Sequence, residues 1–292
     1  MSYKGFKTID EQISILKNRG LNIVDIDTAK DFLLRNNYYR ISGYSLTLRD
    51  HDAFFENASF QNIIDIYEFD HRLRHILMKY IEVIEVTVKS VYSYEFSKSY
   101  GAFAYLDPSL FSDSAIHYDI MQKAEAQKNS RLPHEAYLKH FINDLKIDIP
   151  LWAFVDLLTI SNISFLYMIS PVAVKLSVAN AFGFKSKGDE LLERFMHFMT
   201  ILRNLCAHGS RLYNRLFEQK PWLNKKELAL LTSLPDGTKD NSHLFGYILI
   251  MRRLLKPSDF NHMKSEIESL SRVYPFVDLS HYGFNKNWSS LL

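Results

Sequence analysis

The chain has 292 residues, of which 47% are hydrophobic and 23% charged, with a formal net charge of only +2. Length and apolar content together allow a large buried core, which excludes a disordered protein, and the near-zero charge excludes histone-like coating of nucleic acid. A single cysteine, Cys206, excludes an intramolecular disulfide.

Ten Gly and eight Pro set against 21 Phe and 17 Tyr suit long helices packed through aromatic side chains rather than many-turned sheets. The expected fold class is all-α. The start, Met1-Ser2-Tyr3-Lys4-Gly5-Phe6-Lys7, lacks the apolar run of a signal peptide, so the expected compartment is the cytoplasm.

In chain order, Thr8 with Glu11 predicts a capping box opening a helix that Gly20 ends, and a second amphipathic stretch starts at Asp27 or Thr28 and runs through Asn36. The block Asn37-Tyr38-Tyr39-Arg40-Ile41-Ser42-Gly43-Tyr44 reads as an aromatic turn. Its Tyr residues and Arg40 are of the kind that stack on bases, but such turns more often clamp helices together. From Ser59 to Tyr100 runs the longest helical pattern, free of Gly and Pro, with Leu73, Leu77, Tyr80, Ile84, Val88 and Val91 at three- and four-residue spacing, either one very long helix or two in line. Within it Asp70 and Arg74 are i,i+4 partners, as are His71 and His75. Two His alone make a weak metal motif, and a polar seam with an Asp–Arg pair is the preferred reading.

Helices are expected around Ser114 to Asn129 and His134 to Leu145, with Ser130-Arg131-Leu132-Pro133 as the break between them. Leu151 to Ser170, bounded by Pro150 and Pro171, is just long enough to span a bilayer. Asp156 near its middle would cost roughly 2.5–3.5 kcal/mol there and no Lys or Arg flanks it, so the segment reads as one buried core helix and no membrane is expected. A further helix spans about Lys187 to Ala207. Beyond Pro221-Trp222 the pattern is mixed, with a turn at Leu234-Pro235-Asp236-Gly237, helices near Ser242 to Leu255 and Pro257 to Ser271, and an irregular aromatic tail.

The densest chemistry is Arg203-Asn204-Leu205-Cys206-Ala207-His208. At about 100° per residue, Leu191, Phe195, Phe198, Leu202 and Leu205 share one face, which must be the core face. Asn204 and His208, one turn apart, lie away from it, and Arg203 sits about 140° from His208, so the pair straddles the outward side. Gly209 follows and suits a left-handed cap, which sets His208 at the negative end of the helix, where an imidazole is more readily protonated. A His that cycles a proton, an Arg that holds an anionic phosphate and an Asn that fixes the imidazole tautomer suffice for metal-free phosphodiester cleavage. RNA carries its own nucleophile, the 2′-OH. Arg194, Arg203, Arg211 and Arg215 could add a phosphate-gripping patch.

Four blocks in order, Asn37 to Tyr44, Tyr67-Glu68-Phe69-Asp70 with Leu73-Arg74, Pro150 to Asp156, and Arg203 to His208 running into Arg211-Leu212-Tyr213-Asn214-Arg215, resemble the Abi-like abortive-infection proteins of bacteria. The resemblance covers roughly residues 5 to 217 and leaves the C-terminal part without a counterpart. That family is similar to the HEPN superfamily. The likeness implies a HEPN-like helical bundle with added terminal helices and a ribonuclease needing neither metal nor cofactor. It also implies a composite site where two copies of the motif meet in a homodimer, on a helix face that would carry Met196, Met199 and Thr200. In that scheme Arg203, Asn204 and His208 are catalytic. Arg194, Arg211, Arg215, Arg40 and Arg74 contact RNA or phosphate, and Asp70, Asp156, Tyr213 and Asn214 support the site. A small structured RNA is an expected antitoxin. The alternative is a non-catalytic RNA- or protein-binding module. Asp156, where the family pattern has Glu, and Thr159-Ile160-Ser161-Asn162, where it has an aromatic-Gly pair, depart from that pattern. The expected organisation is an N-terminal lobe over 1–57, a core over 58–220 and a C-terminal extension over 221–292, with one compact domain as an option.

Overall fold

The structure, a computed structural model, describes residues 5–234 and 236–292. Among these the only named strands, β1 (Arg49–Asp50) and β2 (Ala53–Phe54), form a two-residue antiparallel hairpin, and the rest of the regular structure is helical. The fold class is all-α, as composition implies.

In chain order the helices are α1 (Ile9–Asn18), α2 (Ile26–Asn36), α3 (Tyr38–Ser42), α4 (Phe60–Tyr100), α5 (Ser114–Arg131), α6 (Ala136–Lys139), α7 (Leu151–Phe154), α8 (Ile160–Ile169), α9 (Val172–Ala181), α10 (Gly188–Ala207), α11 (Lys225–Leu230), α12 (Leu244–Leu254), α13 (Pro257–Val273) and α14 (Trp288–Leu291). Contacts divide them into two compact units. The first comprises the described residues up to Leu77, 205–246 and 261–292, and the second 78–204 and 247–260.

Local chemistry explains where the elements begin. The Thr8–Glu11 capping box is formed, with the Thr8 amide donating to Glu11 Oε2 at 2.7 Å. Helix α2 starts earlier than its sequence pattern suggests, because Asp25 takes the cap and accepts from the Thr28 amide at 2.9 Å. Helix α4 is one unbroken helix of 41 residues, about 60 Å long at 1.5 Å per residue. Leu73, Leu77, Tyr80, Ile84 and Val88 are all buried along it, and Val91 is half-buried.

The first unit buries Leu33, Tyr44, Ile66, Phe69, Leu212, Phe245 and Tyr282. Rings meet edge-on at Phe32–Tyr67 (5.3 Å) and Tyr44–Tyr67 (5.2 Å), which fixes the α2–α3 corner against α4. The second unit buries Tyr92, Phe96, Leu151, Ile163, Tyr167, Leu192 and Phe195. Two of its buried hydroxyls are satisfied, Tyr92 with Ser170 at 2.8 Å and Tyr105 by donating to the Ile149 carbonyl at 2.6 Å.

Three expectations change. Residues 151–170 form two helices, α7 and α8, separated by a 3-10 turn over Val155–Leu157, instead of one. The cause is Thr159. Its Oγ1 accepts from the Asn162 amide at 3.2 Å while Asn162 Oδ1 accepts from the Thr159 amide at 3.2 Å, a reciprocal cap that starts a new helix. The stretch 134–145 holds only α6 and a π-helical turn, His140–Leu145, closed by Lys146 at φ 54°. Helix α5 continues through Ser130 and Arg131, where a break was expected, and the chain turns only at Leu132. Part of the turn read at 234–237 falls on Pro235, outside the described residues. No helix among the described residues is long and apolar enough to cross a membrane.

Replacing Thr159 by Ala removes half of this reciprocal cap. The expected loss is about 1 kcal/mol of unfolding free energy, measured as a lower urea midpoint at constant m; an unchanged midpoint would assign the helix start to packing instead.

Candidate functional site

The first unit is organised around Asp70. This side chain on α4 has no solvent exposure, and five donors converge on it. Oδ2 accepts from the Tyr44 hydroxyl at 2.8 Å and from Arg74 Nη1, and Oδ1 accepts from the Tyr213 amide at 2.9 Å and the Tyr282 hydroxyl at 3.0 Å. The Leu212 amide approaches both oxygens at 3.2 Å. Every partner donates, so the carboxylate acts purely as an acceptor and its charge is answered by the guanidinium one turn along the helix.

Arg74 extends the network, donating to the Ser210 carbonyl at 3.3 Å. Burial works against its charge, but Asp70 and Tyr44 more than offset that and hold its pKa above the usual arginine value. Burial pushes the Tyr213 hydroxyl up to about 12, raises Tyr44 and Tyr282 further with help from the Asp70 charge, and lifts the Cys206 thiol to about 12.

These bonds hold the segment that follows the motif helix. Helix α10 ends in a Schellman motif: the Gly209 amide donates to the Cys206 carbonyl at 3.0 Å and the Ser210 amide to the Leu205 carbonyl at 2.8 Å, with Gly209 at φ 62°. Arg40 of α3 lies 5.6 Å over the Tyr67 ring and donates to the Gly209 carbonyl. The Tyr213 hydroxyl bonds Thr47 Oγ1 at 2.7 Å, and the Asn214 amide donates to the His281 carbonyl at 3.0 Å. Arg211 folds back onto the carbonyls of Tyr213 and Asn214, and a Cβ at Gly43 would stand only 3.1 Å from its Nε. Gly43 therefore permits the close approach. His208 itself, between α10 and Gly209, is exposed.

The second unit carries Arg203, half-buried, with Asn204, exposed, its Oδ1 accepting from Arg203 Nη1 at 3.4 Å. It also carries Arg194, exposed, and Asp156, exposed, whose backbone carbonyl accepts from Arg131 at 2.8 Å. A cavity of about 890 Å³ in this unit, lined by Phe103, Tyr105, Met121, Lys128, Ile147 and Phe154, contains none of the catalytic, phosphate-contacting or supporting residues expected from sequence.

Two roles expected from sequence do not match the geometry. Arg74 is 3% exposed and committed to Asp70 and Ser210, so it braces the fold where a phosphate contact was expected. Met196 and Met199, expected on an outward dimer face, are 1% and 0% exposed, because the buried stripe of α10 runs through Leu192, Phe195, Met199, Leu202 and Cys206, broader than and rotated from the wheel's apolar line. Leu191 and Leu205 are only half-buried. Arg211 is likewise engaged with backbone carbonyls, and Arg215 lies 5.9 Å over the Phe217 ring. Tyr44 and Tyr282 were not anticipated as partners of Asp70. Tyr44 lay inside a recognised block, whereas nothing in the irregular tail marks Tyr282. The His71 and His75 rings meet edge-on at 4.5 Å, and among the described residues no group of three or more His, Cys, Asp or Glu could hold a metal ion.

An all-α protein in which a buried aspartate anchors the segment after an R-x4-H helix is the class this geometry defines. The family model described as Abi-like protein matches residues 31–214, and the chain belongs to that family, whose name points to abortive infection as a defence against phage. Its match takes in Tyr44, Asp70, Arg74, the motif and Tyr213, and stops short of Tyr282. No curated protein and no solved structure matches the chain.

Asp70→Asn keeps the shape but leaves Arg74 buried without a counter-charge. The expected cost is about 3–5 kcal/mol, read by denaturant unfolding, with partial recovery in Asp70→Asn/Arg74→Met; a loss below about 1 kcal/mol would remove Asp70 from its anchoring role. The buried tyrosines give a pH dependence of definite sign. Their pKa values are raised in the fold, so the native state holds protons that the unfolded chain releases above its ordinary value of 10.0. Stability is therefore complete below that pH and falls as pH rises toward about 12. Urea midpoints across that range should drop, and drop less in Tyr213→Phe.

Proposed function

We propose that this Abi-like protein is a metal-independent endoribonuclease of phage defence, with His208 as its acid/base. The observation that carries the reading is the contrast at His208: an exposed imidazole on a backbone immobilised by the Schellman turn that encloses it and the Asp70 network after it. Catalytic groups require such fixed placement together with access to solvent and substrate.

In the proposed reaction His208 takes the proton of a ribose 2′-OH, the 2′ oxygen attacks phosphorus, and the P–O5′ bond breaks. The leaving 5′ oxygen takes its proton from a protonated imidazole, that of the same His208 or its counterpart in a second copy. The products are a 2′,3′-cyclic phosphate and a 5′-OH. Arg203 neutralises the charge that builds on the phosphoryl oxygens, and Asn204 orients the imidazole. Arg194 and Arg215 extend the cationic contact to neighbouring phosphates. In this scheme two copies pair as a homodimer to complete the site, and a small structured RNA restrains the activity as antitoxin.

The test is cleavage of total cellular RNA in EDTA, with 5′ ends mapped. His208→Ala should lose cleavage by about 10²- to 10⁴-fold while keeping wild-type unfolding, since His208 supports no buried contact, and Arg203→Ala should lose it as well. A fully active, folded His208→Ala protein would overturn the assignment. RNA binding that survives His208→Ala with no cleavage by any form would instead favour a binding module.

A further inference from the structure

Helix α3 holds a side chain that the fold positions and does not use. Tyr39 is 87% exposed, and among the described residues its ring stacks on no other ring and its hydroxyl has no partner. An aromatic ring left in water gives up the gain that burial provides for Tyr44 of the same turn. Its backbone, by contrast, is fixed at both ends. The Tyr39 amide donates to Asn37 Oδ1 at 2.8 Å, with Asn37 at φ 61°, and its carbonyl accepts from Ser42 Oγ at 2.8 Å. Ile41, two residues on, is 2% exposed.

The location is equally specific. The next residue, Arg40, reaches the Gly209 carbonyl, so Tyr39 stands about one arginine side chain away from the residue adjoining His208. Both lie in the first unit. A rigidly mounted, solvent-facing ring is the arrangement that stacks an unpaired base, a contact that tolerates any sequence because every base presents a π-face.

We infer that Tyr39 is a base-stacking residue that receives an unpaired nucleobase flanking the phosphate at His208, making single-stranded RNA the substrate class. The inference rests on the nuclease reading above and extends it. Stacking needs the ring and not the hydroxyl, so Tyr39→Phe and Tyr39→Trp should preserve the function and Tyr39→Ala should remove it. The clamp role that sequence alone suggests for this turn falls to Arg40, Ile41 and Tyr44, leaving Tyr39 outside it.

The experiment measures fluorescence anisotropy of a labelled, mixed-sequence single-stranded RNA on full-length protein carrying His208→Ala, so that bound RNA stays intact. Adding Tyr39→Ala should weaken binding about 5- to 150-fold, while Tyr39→Phe stays within about twofold and a fully paired RNA duplex binds both proteins alike. Equal single-strand affinity of the parent and its Tyr39→Ala variant would overturn the stacking role. If wild-type protein still cleaves RNA in that case, the nuclease reading stands without it. Failure of the parent to bind single-stranded RNA, together with absence of cleavage by wild type, would overturn both. Equal weakening in Tyr39→Phe and Tyr39→Ala would assign the effect to the hydroxyl and reject stacking.

Discussion

A carboxylate removed entirely from water is costly unless every lone pair finds a donor and a cation stands beside it. Asp70 meets both conditions, and it draws its donors from far apart in the chain: Tyr44 after α3, Arg74 on its own helix, the amides of Leu212 and Tyr213, and Tyr282 near the C terminus. Leaving out any one of these segments strands a buried charge.

The consequence reaches the R-x4-H helix. Segments following a helix C terminus are usually among the more mobile parts of a protein. Here the residues from Gly209 to Asn214 have backbone groups held by Arg40, Arg74, Asp70, Arg211 and His281. His208 is thereby presented at a fixed point while its ring stays in water. The cationic residues assigned to the site from sequence are not used alike. Arg74 and Arg211 spend their donors on the protein's own carbonyls and on Asp70, and the ring of His208 is exposed.

Much of this organisation was legible beforehand where it depends on short-range chemistry. The Thr8–Glu11 cap, the helical run that forms α4, the end of α10 at Ala207 and the i,i+4 partnership of Asp70 with Arg74 are written within a turn or two of chain, while only the structure decides that α4 is one helix and not two in line. The Thr159–Asn162 cap is equally local, yet hydrophobicity across 151–170 masked it, because apolar periodicity does not register a side chain that competes for backbone amides. The misplaced outward face of α10 has a different origin. A helical wheel finds the most apolar line, but Met196 and Met199 are flexible side chains that fill whatever gap packing leaves, and that gap is set by other segments.

By itself, then, the sequence determined the all-α class, the membership carried by residues 31–214 and the identity of the chemical groups around His208, since these follow from composition, periodicity and contiguous motif. Tertiary structure alone decided what each polar group does. That Arg74 and Asp70 share a turn is local, but that the pair is sealed from water and that Arg74 also braces the Ser210 carbonyl depends on segments more than a hundred residues away, which local spacing does not encode. The same holds for two tyrosines of one turn: Tyr44 is sealed onto Asp70 and Tyr39 stands in solvent, because only the packing of distant segments determines which ring is covered.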